Sequence, residues 1–60
     1  METFETLLQE YNNKEIGLYD FIIDSLQFFD NDLELAIATI ADELNMSYEE
    51  LDKWYDNYID

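Results

Sequence analysis

Sixteen carboxylate side chains and only two amines, Lys14 and Lys53, share a chain of 60 residues, giving a formal net charge of −14 at pH 7. Self-repulsion of that size works against any compact state. A chain this short also withdraws only roughly 60% of its unfolded surface from water on folding. One domain spanning residues 1–60, of marginal stability, is all it can support. High net charge by itself argues for disorder. Here, however, 48% of residues are hydrophobic and 17% are aromatic, enough apolar surface to offset chain entropy. With no Pro and a single Gly to interrupt it, the chain is expected to be all-α, a small bundle of three to four short helices.

Several function classes drop out at once. The absence of Cys excludes disulfides and thiolate metal sites, and the absence of His removes the commonest proton-transfer group and transition-metal ligand. No Gly-rich phosphate loop occurs, and only Lys14 and Lys53 could serve as amines. Paired carboxylates can hydrolyse glycosides, but they need a cleft that four short helices cannot enclose. The expectation is a protein that is not an enzyme and needs no cofactor. The Met1-Glu2 opening is acidic, and no apolar run has the length of a signal core or a membrane span. A soluble cytoplasmic protein with no membrane partner is therefore expected.

Helical periodicity accounts for nearly every apolar residue. A first helix is expected from about Thr3 to Tyr11, burying Phe4, Leu7, Leu8 and Tyr11, with Asn12-Asn13 supplying the left-handed turn that ends it. A second is expected from Lys14 or Glu15 to Phe29. Its stripe is Ile16, Tyr19, Ile23 and Leu26, widened by Leu18, Ile22 and Phe29. Phe21 and Phe28 fall on the flank, at least one of them partly exposed, and Gly17 lies in the first turn for no evident reason. In a third helix, Asn31 caps and Glu34 reaches back to it, while Leu33, Ala36, Ile37, Ile40, Ala41 and Leu44 face inward. The fourth opens with a capping box, Ser47 to Glu50, stapled by Met46 and Leu51. Its stripe is Leu51, Trp54, Tyr55 and Tyr58, with Ile59 alongside.

Residues 40–54 carry a further pattern. Ala41, Leu44, Asn45, Met46, Leu51 and Trp54 stand in the order of small, apolar, turn and packing residues that a tight helix-turn-helix corner requires. This stretch resembles the helix-turn-helix of small DNA-binding regulators, which would imply base and phosphate contacts from the second helix. The outward positions there are Ser47, Tyr48, Glu49, Asp52, Lys53 and Asp56, three acids and one base. Phosphate contacts need Lys or Arg, and a domain at −14 is repelled by nucleic acid. Such a corner is expected in the fold without direct nucleic-acid binding.

The surplus of acids exceeds what solubility needs, a net charge of about 2–8 for a small domain. It is also costly. Glu10, Asp30, Asp42, Glu43, Asp56 and Asp60 fall at or just beyond expected helix C-termini, each opposing the helix dipole by roughly 0.3–1 kcal/mol. The like-charge pairs Asp20/Asp24, Asp52/Asp56 and Asp56/Asp60 add about 0.2–0.5 kcal/mol each against folding. A cation or a cationic protein would explain that expense. Calcium fits poorly. Asp30-Asn31-Asp32-Leu33-Glu34 imitates the start of a calcium loop, but the sixth position is Leu35 and the twelfth Ala41, where Gly and a bidentate Glu are required. No metal site is expected.

A basic nucleic-acid-binding groove fits better. Fourteen charges match roughly 24 Å of duplex DNA. A compact domain of this length should have a radius of gyration near 10 Å and a diameter of about 27 Å. Carboxylates one helical turn apart lie roughly 6 Å from each other, near the spacing of successive phosphates. The column Glu49, Asp52, Asp56 and Asp60 has that spacing, and Asp20 and Asp24 repeat it on the second helix. Tyr48, Tyr55, Tyr58, Trp54 and Phe28 cannot all be interior. Tyr48 and Tyr55, beside carboxylates, suit either contact with arginine or completion of the core, whereas Trp54 is expected in the core. In size, charge and lack of catalytic groups the chain resembles the small DNA-mimic inhibitors of phages and mobile elements, the anti-CRISPR and antirestriction type. That resemblance implies a non-catalytic inhibitor acting in a host cytoplasm on a nuclease, a CRISPR effector or another basic nucleic-acid-binding protein. The candidate partner-binding residues are Asp20, Asp24, Tyr48, Glu49, Asp52, Tyr55, Asp56 and Asp60. The alternative is a helical adaptor, comparable to ubiquitin-binding three-helix modules, binding through an apolar or aromatic patch. A monomer is expected, with a homodimer as the other option.

Overall fold

The computed structural model describes residues 2–60. Among them four α-helices form and no strand: α1 Phe4–Asn12, α2 Leu18–Ser25, α3 Leu33–Glu43 and α4 Tyr48–Ile59, with one 3₁₀ turn, Leu26–Phe28, continuing α2. The radius of gyration is 10.7 Å and the extents are 30 × 25 × 22 Å, as the length demands. α1 packs on α2, α2 on α3 and α3 on α4.

Three of the four starts are set by short polar side chains. Thr3 Oγ1 accepts from the Thr6 N–H at 3.2 Å, Asp32 Oδ1 from the Leu35 N–H at 3.2 Å, and Ser47 Oγ from the Glu50 N–H at 3.1 Å. Each satisfies an amide that a helix start leaves without an internal partner. The cap of α3 is thus Asp32, one residue later than the expected Asn31. Asn31 and Asp30 instead take positive φ, 61° and 53°, and form the connection into the helix. The two residue types best suited to the left-handed region are spent there, which leaves Asp32 to cap.

The second helix is shorter than its periodicity predicts, and the reason lies at the end of α1. Lys14 adopts φ 62°. Its N–H donates to the Tyr11 carbonyl at 3.0 Å, and the Glu15 N–H donates to the Glu10 carbonyl at 2.8 Å, the pair of bonds of a Schellman closure. Asn12 and Asn13, expected to supply the left-handed residue, are the last helical position and the C-cap. This closure occupies residues 13–15, so α2 cannot begin before Gly17, which caps it with extended backbone at φ −83° and ψ 171°. At the other end, Ser25 is fully buried and its Oγ donates to the Ile22 carbonyl at 2.8 Å. There the helix tightens to 3₁₀ geometry, and bonding of a serine hydroxyl back along the helix favours such distortion.

The buried face of α2 also differs from the expected one. Phe21, expected on the flank, is wholly buried together with Ile22, while Tyr19, Ile23 and Leu26 are only partly covered. The Phe21 ring is sandwiched by α1, 5.6 Å from Phe4 and 5.4 Å from Tyr11 between centroids. Phe28 is the exposed member of the pair. Leu7, Phe21, Ile22, Ile37, Ile40 and Leu51 are the large apolar side chains fully withdrawn from water, worth about 1.5–3 kcal/mol each. Ala36 and Ala41 are buried beside them.

Between α3 and α4 the chain turns at Asn45, φ 58°. Its N–H donates to the Asp42 carbonyl and the Met46 N–H to the Ala41 carbonyl, again a Schellman closure. Leu44 and Met46 pack partly against the core on either side of this turn.

Gly17 has neither a capping side chain nor any atom within 4 Å of where a Cβ would stand. Gly17→Ser should therefore supply the missing cap and reduce unfolded-chain entropy, stabilising the protein by about 0.5–1 kcal/mol. A rise in the thermal midpoint is the expected observation; an unchanged or lower midpoint would contradict this account of the α2 start.

Candidate anionic interface

Fourteen of the sixteen carboxylates are exposed, and the remaining two, Glu10 and Asp52, are half-buried. They lie on all four helices and in the connections between them, so the charge wraps the molecule. Among the described residues, no group of three or more is placed to hold a metal ion, and no helix is long and apolar enough to cross a membrane.

Carboxylates from two helices act on Tyr48, the first residue of α4. Its phenol is raised above its ordinary value of 10.0 by dehydration of the ring first, then by the negative charges of Asp52, Glu34, Asp32 and Asp56. Asp52 and Asp56 come from the expected α4 column. Asp32 and Glu34 come from the start of α3, held there by the Asp32 cap. Tyr48 remains 37% exposed.

The structure brings together some of the residues singled out in the sequence and separates others. Glu49, Asp52, Asp56 and Asp60 follow one side of α4 at one-turn spacing, all exposed but Asp52. Asp20 and Asp24 are exposed on α2 and are not among the charges that act on Tyr48. Of the two uses open to Tyr55, partner contact or core, the structure shows the core, at 9% exposure, which removes it from the candidate partner-binding residues. It stacks on Tyr19 with centroids 5.8 Å apart. Tyr19 also stacks on Tyr58 at 4.8 Å, and Tyr58 on Trp54 at 5.1 Å, so a run of four rings joins α2 to α4. Trp54 is half-buried against the core, while Tyr58 is largely exposed. Aromatic contact between these two helices consumes the side chain that a partner would need.

Not anticipated from the helical stripes is an open trough of about 490 Å³ beside Tyr48, lined by Asp32, Glu34, Leu35, Ala38 and Tyr48. Leu35 is 49% exposed, an apolar residue off the buried stripe of α3. That mismatch with the helical period was the available signal. A second depression, near Lys14, lies between α1 and α2 and is lined by Tyr11, Asn12, Lys14, Glu15, Ile16 and Gly17. The chain matches no protein-family model, no curated protein and no solved structure.

The Tyr55 phenol is also raised, by burial first, then by the Tyr19 phenol and the Asp56 carboxylate. A phenol whose folded value lies above its unfolded one favours folding fully below the unfolded value, near pH 10. That contribution is lost as pH rises through the folded value. Stability should therefore fall above about pH 10, and Tyr55→Phe should keep a larger fraction of its pH 8 stability at pH 11 than the parent. Urea unfolding at both pH values checks this; equal fractional losses would contradict it.

Proposed function

We propose that this protein is a non-catalytic inhibitor that occupies the basic nucleic-acid-binding groove of a host-defence nuclease or another DNA- or RNA-binding protein. It does so by presenting carboxylates where phosphates normally lie. The observation that carries this reading is the exposure of nearly every carboxylate on so small a body. Fourteen net charges along a 30 Å axis amount to roughly one per 2 Å, against about one per 1.7 Å in duplex DNA. The spacing of Glu49, Asp52, Asp56 and Asp60 on α4 supports the same reading. A groove built to bind phosphate by electrostatic attraction would be drawn to such a surface at long range.

A second reading has its own support. Leu35, Phe28, Tyr58 and Ile59 are exposed, and an adaptor that binds an apolar peptide or helix would use such residues. The two differ in their salt dependence. Charge mimicry requires binding that weakens steeply as salt rises, whereas an apolar docking face is nearly indifferent to it.

Reversing Asp52 and Asp56 to Lys should weaken inhibitor binding at least about tenfold. The equal reversal of the distant Glu2 and Glu5 should cost only about two- to threefold, through long-range attraction alone. The assay is capture of a nucleic-acid-binding enzyme, with release by salt and by duplex DNA. Equal losses from the two variants, or capture that DNA cannot reverse, would overturn the proposal.

A further inference from the structure

The trough between α3 and α4 combines an apolar and an anionic lining. Its floor is apolar, formed by Leu35, Ala38 and the ring of Tyr48, with Leu35 about half exposed and Tyr48 more than a third exposed. Its margins are anionic. Asp32 and Glu34 are among its lining residues, and Asp52 stands one turn on from Tyr48 along α4. An apolar floor suits the stem of a long side chain, and carboxylates beside it suit a cationic head.

One side-chain chemistry satisfies both features. Arginine carries a three-carbon stem that packs on apolar surface, and a planar cation that stacks on an aromatic face and pairs with carboxylates at its edge. Lysine offers the stem and the charge, but a compact, strongly hydrated head that stacks less well. We propose that this trough is the docking site for an arginine-bearing segment of a partner protein. The arginine stem lies on Leu35 and Ala38, its guanidinium stacks on Tyr48, and Glu34 and Asp52 accept its hydrogen bonds. The inference deepens the reading above by naming the contact face and the partner side chain. It places the specific contact at the α3–α4 junction, leaving Asp20, Asp24 and the outer α2 surface to long-range attraction alone.

Positions near the trough are suited to such a role. The Asp32 cap and the Ser47 cap fix the first turns of α3 and α4, so Glu34, Leu35 and Tyr48 stand on ordered backbone. Ala36, Ile37 and Leu51, next in sequence or one turn on, are buried and hold the two helices in place from beneath. Preorganisation of this kind lowers the entropy lost on binding.

The test uses the full chain and two probes, a short Arg-Gly repeat peptide and its Lys-Gly counterpart, followed by backbone amide shifts. The largest shifts are expected at Leu35, Ala38, Tyr48 and Asp52, with the arginine peptide binding about fivefold more tightly than the lysine one. Two variants change net charge equally. Glu34→Gln with Asp52→Asn should weaken the arginine peptide about tenfold, and Asp20→Asn with Asp24→Asn less than about threefold. Tyr48→Leu keeps an apolar side chain at an exposed position and should erase the preference for arginine over lysine. Shifts centred on α2, equal losses in the charge-matched variants, or a preference that survives Tyr48→Leu would each overturn the inference. No nucleic-acid-binding enzyme takes part, so this outcome is separate from DNA competition. Trough binding without DNA-reversible inhibition would keep the site and remove the groove, and the converse would keep the groove and remove the site.

Discussion

A small core holding a heavily charged shell together is the constraint on which the rest of this structure depends. Leu7, Phe21, Ile22, Ile37, Ile40 and Leu51 meet where the four helices touch, and they act against a net charge of −14. The helices arrange that charge in a lopsided way. First turns carry acids, Glu5 in α1, Asp20 in α2, Glu34 in α3 and both Glu49 and Glu50 in α4, where the dipole welcomes them. No last turn carries a base, so the dipole is never complemented at the other end. A protein selected for stability alone would place lysines there. Their absence leaves the last turns of all four helices without a compensating charge of the chain's own.

Aromatic side chains carry much of the burden that a larger core would take elsewhere. Phe4, Tyr11, Phe21 and Phe29 form one group, with Phe29 edge-on to Phe4. Tyr19, Trp54, Tyr55 and Tyr58 form another. Each ring pair is worth about 0.5–1.5 kcal/mol beyond its buried area. The tyrosines keep a polar tip while covering apolar surface, which lets residues near the surface contribute to packing. Rings used this way are not free for a partner, and Tyr55 shows the competition between the two uses. Tyr48, at the start of α4 and outside both groups, stays more than a third exposed beside acidic residues.

Much of this was legible in the residues themselves. Four helices, the Ser47 cap, the buried stripe of α3 and the left-handed Asn45 all follow from periodicity and turn chemistry. The errors are local and share a cause. Lys14 takes the left-handed position that Asn12 or Asn13 would fill more comfortably, Asp32 caps in place of Asn31, and Phe21 replaces the expected stripe on α2. In each case the local preference left a nearby alternative open, and the surrounding structure took it. Packing of Phe21 between Phe4 and Tyr11 is a contact between helices that no local window contains. The trough was hidden for a related reason, since its floor is shared between Leu35 on one helix and Tyr48 on the next.

If the carboxylates are retained at the expense of the fold, then screening them should relieve the molecule. The direct measurement is the thermal unfolding midpoint of the isolated protein as NaCl is raised from about 0.01 M to about 0.3 M, which shortens the reach of its charges several-fold. The midpoint should climb by roughly 5–10 °C, corresponding to about 1 kcal/mol of relieved repulsion in a domain of this size. A midpoint that stays level or drops over that range would contradict the account at its root, because the acidic surface would then cost the free protein nothing.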